Sequence, residues 1–441
     1  MKQKIISVSF LITVLLIFTS CNIQTSLTPK DPVTITMWHT YGDSPDSTMN
    51  RLIDKFNETE GKEKGVMVSV TKITEPEDVQ SSLNEAMQNS TEENNLMPDL
   101  FFCTKDTAAT LESDKLVNWA DCFTGEELSE FVDDFINDGV INDKLTVFPV
   151  SKSTQMIYVA GSAFERFSAQ TEVSYDDLNT WEGFFKTAEQ YYQWSGGKPF
   201  CAVDYPVRCA ELFALSRGAQ NCMGADGWYD GDNQILKECW LEFAKSIAKG
   251  HIIVSNLYSN KHVMSGETIA GIGTTASIHY YEDTITYPDG TTENTNLKIL
   301  PFPGAEDRFV TQSGGGMCSY ASDDKKSEAV SVFAHWFTSP DINLEFVSNA
   351  GYVPVNKKSY EYIDNTTFKN DSYTQLYSAL KSTADGAVWV AEHTFDGYFT
   401  KVISIHKHMR KIPSPAKKKL AGGTDADLII QESWEAFLNV R

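Results

Sequence analysis

From residue 33 onward, short apolar runs alternate with stretches of helical spacing. V-T-I-T-M-W at 33–38 is a compact β-branched run and predicts a strand. Residues 47–57 follow with Met49, Leu52, Ile53 and Phe56 on one helical face. Residues 66–73 predict a second strand, 79–87 a second helix, and M-P-D-L-F-F-C at 97–103 a third strand entered through Pro98. Strand and helix alternating across short polar joints predict an α/β domain with a largely parallel sheet. Ligands of such sheets sit at the carboxyl ends of the strands, which marks the loop 39–42 and the segment 104–107.

F-P-V-S-K-S-T-Q-M-I-Y at 148–158 is apolar and β-branched around a small hydroxyl-rich centre of Ser151, Ser153 and Thr154. It reads as a strand that passes between two lobes and leaves donors facing a cleft. Beyond it the texture changes to long amphipathic stretches. Thr180 is an N-cap candidate before Trp181, Phe184, Phe185 and Ala188, and 234–248 repeat the pattern through Trp240 and Phe243. Between them A-D-G-W-Y-D-G-D-N reads as a turn in which Trp228 and Tyr229 cap the surface. Strands are expected at 267–273 and 297–300. S-G-G-G-M-C-S-Y at 313–320 reads as a glycine run entering a strand, where a ligand or another backbone comes close. It carries neither G-x-G-x-x-G nor a P-loop pattern, so phosphate cofactors are not expected. Helices are predicted at 325–338 and through the C-terminal third, with Trp434 in the last.

A chain of 441 residues predicts two domains. Its net charge of −23 argues against a nucleic-acid partner, whose affinity needs clustered Lys and Arg. At the start, Lys2 and Lys4 precede an apolar run from Ile5 to Phe18 that is too short to span a membrane comfortably. It ends in I-F-T-S-C, which resembles the lipobox of bacterial lipoproteins. That resemblance implies a signal peptide over 1–20, a lipid on Cys21 and a tether over 21–30. Seven cysteines remain, an odd number with no C-x-x-C pair, and the histidines are scattered. No metal site and no cofactor are expected.

Set in order, these stretches resemble the family 1 extracellular solute-binding proteins, receptors of bacterial ATP-driven importers. The matching residues are I-T-M-W-H at 35–39, M-P-D-L-F-F at 97–102, the 148–158 stretch, L-N-T-W-E-G-F at 178–184, S-G-G-G-M at 313–317, F-T-S-P-D at 337–341 and A-G-Y-V-P-V at 350–355. The resemblance implies an α/β, two-lobed periplasmic-binding-protein type II fold with a hinge and an interlobe ligand cleft. It places 31–149 plus 311–341 in the N-terminal lobe and 150–310 plus 342–441 in the C-terminal lobe. It further implies a non-catalytic, exported, monomeric receptor that passes a carbohydrate to the permease subunits of an ABC importer. Within the family the motifs are most similar to the glycerol-3-phosphate-binding branch, which makes a glycerol-3-phosphate or glycerophosphodiester receptor the alternative.

The candidate ligand contacts come from both sources. The branch's motifs fall on Ser153, Ser277, Gly315 and Tyr352. Lys401 stands where the branch has an arginine, and Lys105 with Asp106 where it has an acidic residue. From the residues alone, Tyr41 and Tyr205 offer aromatic faces to a sugar, and His39 precedes a helix where a polar solute would sit. A secreted glycoside hydrolase, which needs two carboxylates across a sugar-sized gap, is the rival from another class.

Overall fold

The computed structural model describes residues 27–440, except 43, 45–46, 92–93, 305–307, 321–322, 396 and 413–426. The signal peptide, Cys21 and most of the expected tether lie outside the described residues. Leu27 is already buried in the core. Among the described residues no helix is long and apolar enough to cross a membrane.

Two five-stranded sheets organise the molecule. The first runs Val66–Ile73, Val33–His39, Leu100–Cys103, Gly316–Ser319, Phe148–Pro149. Its first three strands are parallel, and Gly316–Ser319 is antiparallel to both of its neighbours. The second runs Leu297–Pro301, Gln155–Ala160, Ala270–Thr274, Cys201–Val203, Ile252–Ile253. Gln155–Ala160 is antiparallel to the strands on either side, whereas the last three are parallel. The sheets are therefore mixed, not largely parallel as the alternation alone predicts. In the first sheet, the antiparallel strand Gly316–Ser319 is the one that re-enters after the chain has built the second sheet.

The helices start where the sequence supplies caps. Ser47, Thr180 and Asn233 each accept a backbone N–H with the side chain, opening Thr48–Glu58, Trp181–Trp194 and Gln234–Lys249. Trp181 is buried, with the rings of Phe243 and Phe302 meeting it edge-on at 5.0 and 5.1 Å. Every residue from Val147 to Gly161 is buried, and this segment belongs to the first sheet at Phe148–Pro149 and to the second from Gln155. It is the crossing that its apolar pattern predicts.

A second connection was not legible. Phe309–Gln312 pairs in parallel with Val388–Ala391. The C-terminal third is thus not helical throughout. Trp389 packs edge-on to Phe135 at 4.9 Å, and its backbone N–H donates to the Asp134 carboxylate. On the other side, the carbonyls of Val390 and Ala391 accept from Arg208. This short strand is held by residues flanking both sheets.

The glycine run has a plain steric cause. A Cβ on Gly315 would lie 2.5 Å from the Cys103 carbonyl oxygen, and one on Gly316 would lie 2.4 Å from that of Phe148. Gly314 has φ +117°, a conformation side chains rarely adopt. The run lets the re-entering strand wedge between two others.

Candidate functional site

Between the sheets lies a central cavity of about 230 Å³. Thr104, Lys105, Asp106 and Asp138 line it from the first sheet's side; Gln155, Tyr205 and Thr274 line it from the second. Thr311, Gln312, Ser313 and Gly314 close its floor where the chain returns. Thr104 and Lys105 follow directly on Leu100–Cys103, at the carboxyl end of a parallel strand. A neighbouring cavity of about 240 Å³ shares Thr104, Ser313 and Gly314 with it and is also lined by Tyr41, Ser151, Gly315 and Tyr352.

The lining is rich in hydroxyls, amides and carboxylates, with aromatic faces at Tyr205, Tyr398 and Phe399. Gln312 is buried, and its amide nitrogen donates to the carbonyls of Asp134 and Trp389, while its Oε1 has no hydrogen-bond partner. Arg208 is buried too. Its Nη1 donates to Glu211 at 2.6 Å, and its Nε, 3.9 Å from the Glu392 carboxylate, makes no hydrogen bond. Tyr229 and His393 also donate to Glu211, at 2.7 and 2.8 Å. Burial alone would raise the Glu211 carboxyl, but Arg208, then His393 and Tyr229, hold it down at about 2. Asp138 is paired with buried Lys152 at 2.6 Å, and Glu392 accepts from Ser313 Oγ at 2.8 Å. Partial burial, then the nearby Asp138 and Glu392 charges, push the Asp106 carboxyl up.

The sequence candidates divide. Tyr41, Gly315 and Tyr352 meet in the second cavity. Tyr41 touches Phe346, Phe102 and Tyr352 edge-on at 5.0, 5.3 and 6.3 Å, and burial raises its hydroxyl pKa. Tyr205 faces the central cavity from the start of the helix Pro206–Ser216. Ser153 and Ser277 line neither of these two cavities. Ser153 Oγ lies 2.9 Å from Thr275 Oγ1, and Ser277 Oγ lies 3.4 Å from that of Thr274. His39 is buried, its Nδ1 accepting from the Tyr41 N–H at 3.2 Å and its Nε2 lying 3.2 Å from Asn50 Oδ1. It shapes the Tyr41 loop and does not line either cavity. Lys401 sits on the helix Tyr398–Met409, which lines the central cavity with Phe399 and Val402, but its Nζ lies over the Trp228 ring at 5.5 Å. Trp228 and Tyr229 are buried rather than capping a surface turn, because Tyr229 is tied to Glu211 and Trp228 Nε1 donates to the Phe437 carbonyl.

Several lining residues carried no signal in the sequence. Gln155, Arg208, Gln312 and Glu392 come from four separate segments, and only the topology brings them together. Asp204, which lines an adjoining cavity beside Tyr205, also carried no signal, its two oxygens accepting from the N–H and Oγ of Ser259 at 2.7 and 3.0 Å. Burial raises its carboxyl to about 6. Among the described residues no group of three or more His, Cys, Asp and Glu is placed to hold a metal ion.

A family model described as a bacterial extracellular solute-binding protein matches residues 51–374. Among curated proteins none matches this sequence. Several solved structures are similar. The cyclic alpha-maltosyl-1,6-maltose binding protein of Arthrobacter globiformis is 15% identical, covering 93% of this chain and 99% of its own, with a TM-score of 0.68. The sugar-binding protein MalE of Xanthomonas citri is 12% identical over 92% and 98%, with a TM-score of 0.67. UgpB of Mycobacterium tuberculosis, solved with glycerophosphocholine, is 14% identical over 92% and 98%, with a TM-score of 0.63. At these identities the likeness is one of fold, and it establishes the two-lobed architecture.

Proposed function

This chain belongs to the bacterial extracellular solute-binding proteins, and from that premise we propose that it captures a carbohydrate between its lobes and delivers it to the permease of an ABC importer. The observation that carries this reading is the central cavity, which draws hydroxyl, amide and aromatic side chains from both sheets. A sugar ring presents hydroxyls at its edge and an apolar face, and such a lining answers both. Similar structures include a cyclic alpha-maltosyl-1,6-maltose binding protein and a sugar-binding protein, which supports the class. Within this reading 31–149 plus 311–341 form one lobe and 150–310 plus 342–441 the other, and they close by hinge motion around the solute. Cys21 carries the lipid that holds a monomeric receptor at the outer face of the membrane.

The protein binds without turning its ligand over. Of the three carboxylates on the central cavity, Asp138 is paired with Lys152 and Glu392 accepts from Ser313, so two of them hold the cavity wall together, which supports a binding role. UgpB, which binds glycerophosphocholine, keeps a polyol phosphate as the second reading.

A thermal-melt screen against mono- and oligosaccharides, glycerol-3-phosphate and glycerophosphodiesters tests this. A ligand at a hundred times its Kd adds about 2.7 kcal/mol to the folded state. A shift with a saccharide, recovered chemically unchanged, is expected. A shift with the phosphates alone would replace the carbohydrate, and release of hydrolysis products would overturn the non-catalytic role.

A further inference from the structure

The cleft continues past the central cavity. Tyr205 and Val402 are shared with a third cavity of about 230 Å³, roofed by Leu257 and Tyr258 and walled by Lys407 and Arg410. Either cavity alone falls short of the roughly 300–1,000 Å³ that encloses a sizeable ligand, whereas the two joined reach it. Tyr258 is 68% exposed, and among the described residues no other aromatic ring stacks on it. Its setting suits stacking against a further sugar ring.

The two cavities differ in charge. Asp106, Asp138 and Glu392 line the central one, and its Arg208 is committed to Glu211. In the third, Lys407 and Arg410 form no ion pair among the described residues, and Arg410 Nε is buried without a hydrogen-bond partner. The imidazole and the carboxylate there are engaged. His406 Nε2 donates to the Ser255 carbonyl at 2.7 Å, and Asp204 has both oxygens on Ser259. From Gly397 to Ile412 the chain holds Lys401, Lys407, Arg410 and Lys411 and no acidic residue, in a protein of net charge −23. Unpaired cations on a cavity wall, one of them partly desolvated, favour an anion there.

We infer that the third cavity is an anion subsite, and that the captured solute is an oligosaccharide bearing a carboxylate or phosphate ester on the unit held between Tyr258, Lys407 and Arg410. Its remaining units fill the central cavity across Tyr205. The inference rests on the carbohydrate reading and adds the charge of the ligand to it.

Calorimetric titration of the whole protein with three oligosaccharides of equal length tests it: one neutral, one ending in a uronic acid, one ending in a sugar phosphate. At least one acidic ligand is expected to bind about tenfold more tightly than the neutral one. The preference shrinks as salt is raised. Arg410→Gln and, at an exposed position, Lys407→Gln each reduce the ratio, and which acid wins identifies the anion. Equal or tighter binding of the neutral ligand, or a preference untouched by both substitutions, overturns the subsite and leaves the carbohydrate reading standing. Failure of all three to bind removes the carbohydrate reading and this inference with it.

Discussion

At one end of the cleft Tyr41 is wedged among Phe102, Phe346 and Tyr352. At the other, Tyr258 stands largely in solvent and Tyr205 is 38% exposed. The first arrangement is finished before any ligand arrives. Tyr41 has its aromatic partners within the protein, its hydroxyl is 3.4 Å from Ser151 Oγ, and its backbone is fixed by His39. The second arrangement is incomplete: Tyr258 and Tyr205 are exposed, and Lys407 and Arg410 form no ion pair among the described residues. A rigid wall facing an unsatisfied one is what a cleft needs if the solute itself completes the contacts on closure.

Substitutions at the two ends therefore separate stability from affinity. The largest effect is expected at the buried network beside the cleft. Arg208→Ala removes the main compensation of the buried Glu211 charge, leaving it to Tyr229 and His393, and should cost about 3 kcal/mol in a denaturant titration. Next is Gly315→Ala, whose new methyl has to displace the Cys103 carbonyl. A loss of about 2 kcal/mol or more is expected, read as a lower melting temperature without ligand. Tyr41→Ala should also lower stability, by a similar amount, through lost ring contacts. Tyr258→Ala should change stability by no more than about 0.5 kcal/mol and still weaken solute binding severalfold. If Tyr258→Ala unfolds the protein as readily as Tyr41→Ala, the distinction between the two ends fails.

Two carboxyls give opposite pH signatures. Glu211 is held at about 2 in the folded protein, below its ordinary 4.5. Its contribution is present above pH 4.5 and is lost as pH falls toward 2. Asp204 is raised to about 6 from 3.8, so its ionisation opposes folding, and stability declines as pH rises from 3.8 through 6. In Asp204→Asn that decline should vanish, while an Asn side chain can still accept from the Ser259 N–H. This is the smallest of the expected effects, read by comparing melting temperatures at pH 4 and pH 7.

The first wall was legible in the sequence and the second largely was not. Tyr41, Gly315 and Tyr352 sit in short stretches whose pattern is dictated by backbone geometry: a strand end, a strand wedged between two others, and a helix terminus at Gly351 in the left-handed region. Such constraints are local and leave marks. The crossing at 148–158 was legible because apolar and β-branched runs flank its small hydroxyl-rich centre, the pattern of a buried strand that carries polar groups past the cleft. Lys401 shows the limit. A helix position was right for the cleft wall, but a residue one or two places along, Phe399 or Val402, faces the cavity while Lys401 turns to Trp228. Val388–Ala391 was missed because a four-residue strand between helices has too little periodicity to register. Arg208, Gln312 and Tyr258 carry no local signature at all, because what makes them notable is which distant groups they meet or fail to meet.

A solute bound between the lobes should draw them together. Small-angle X-ray scattering of the protein, with and without a saturating oligosaccharide that shifts its melt, tests it most directly. A radius of gyration that falls on saturation, with the fall weakened in Tyr205→Ala at the same solute concentration, is the predicted result. Saturation with no change in radius of gyration, in a protein whose melt still shifts, would place the solute outside the interlobe cleft and contradict the account.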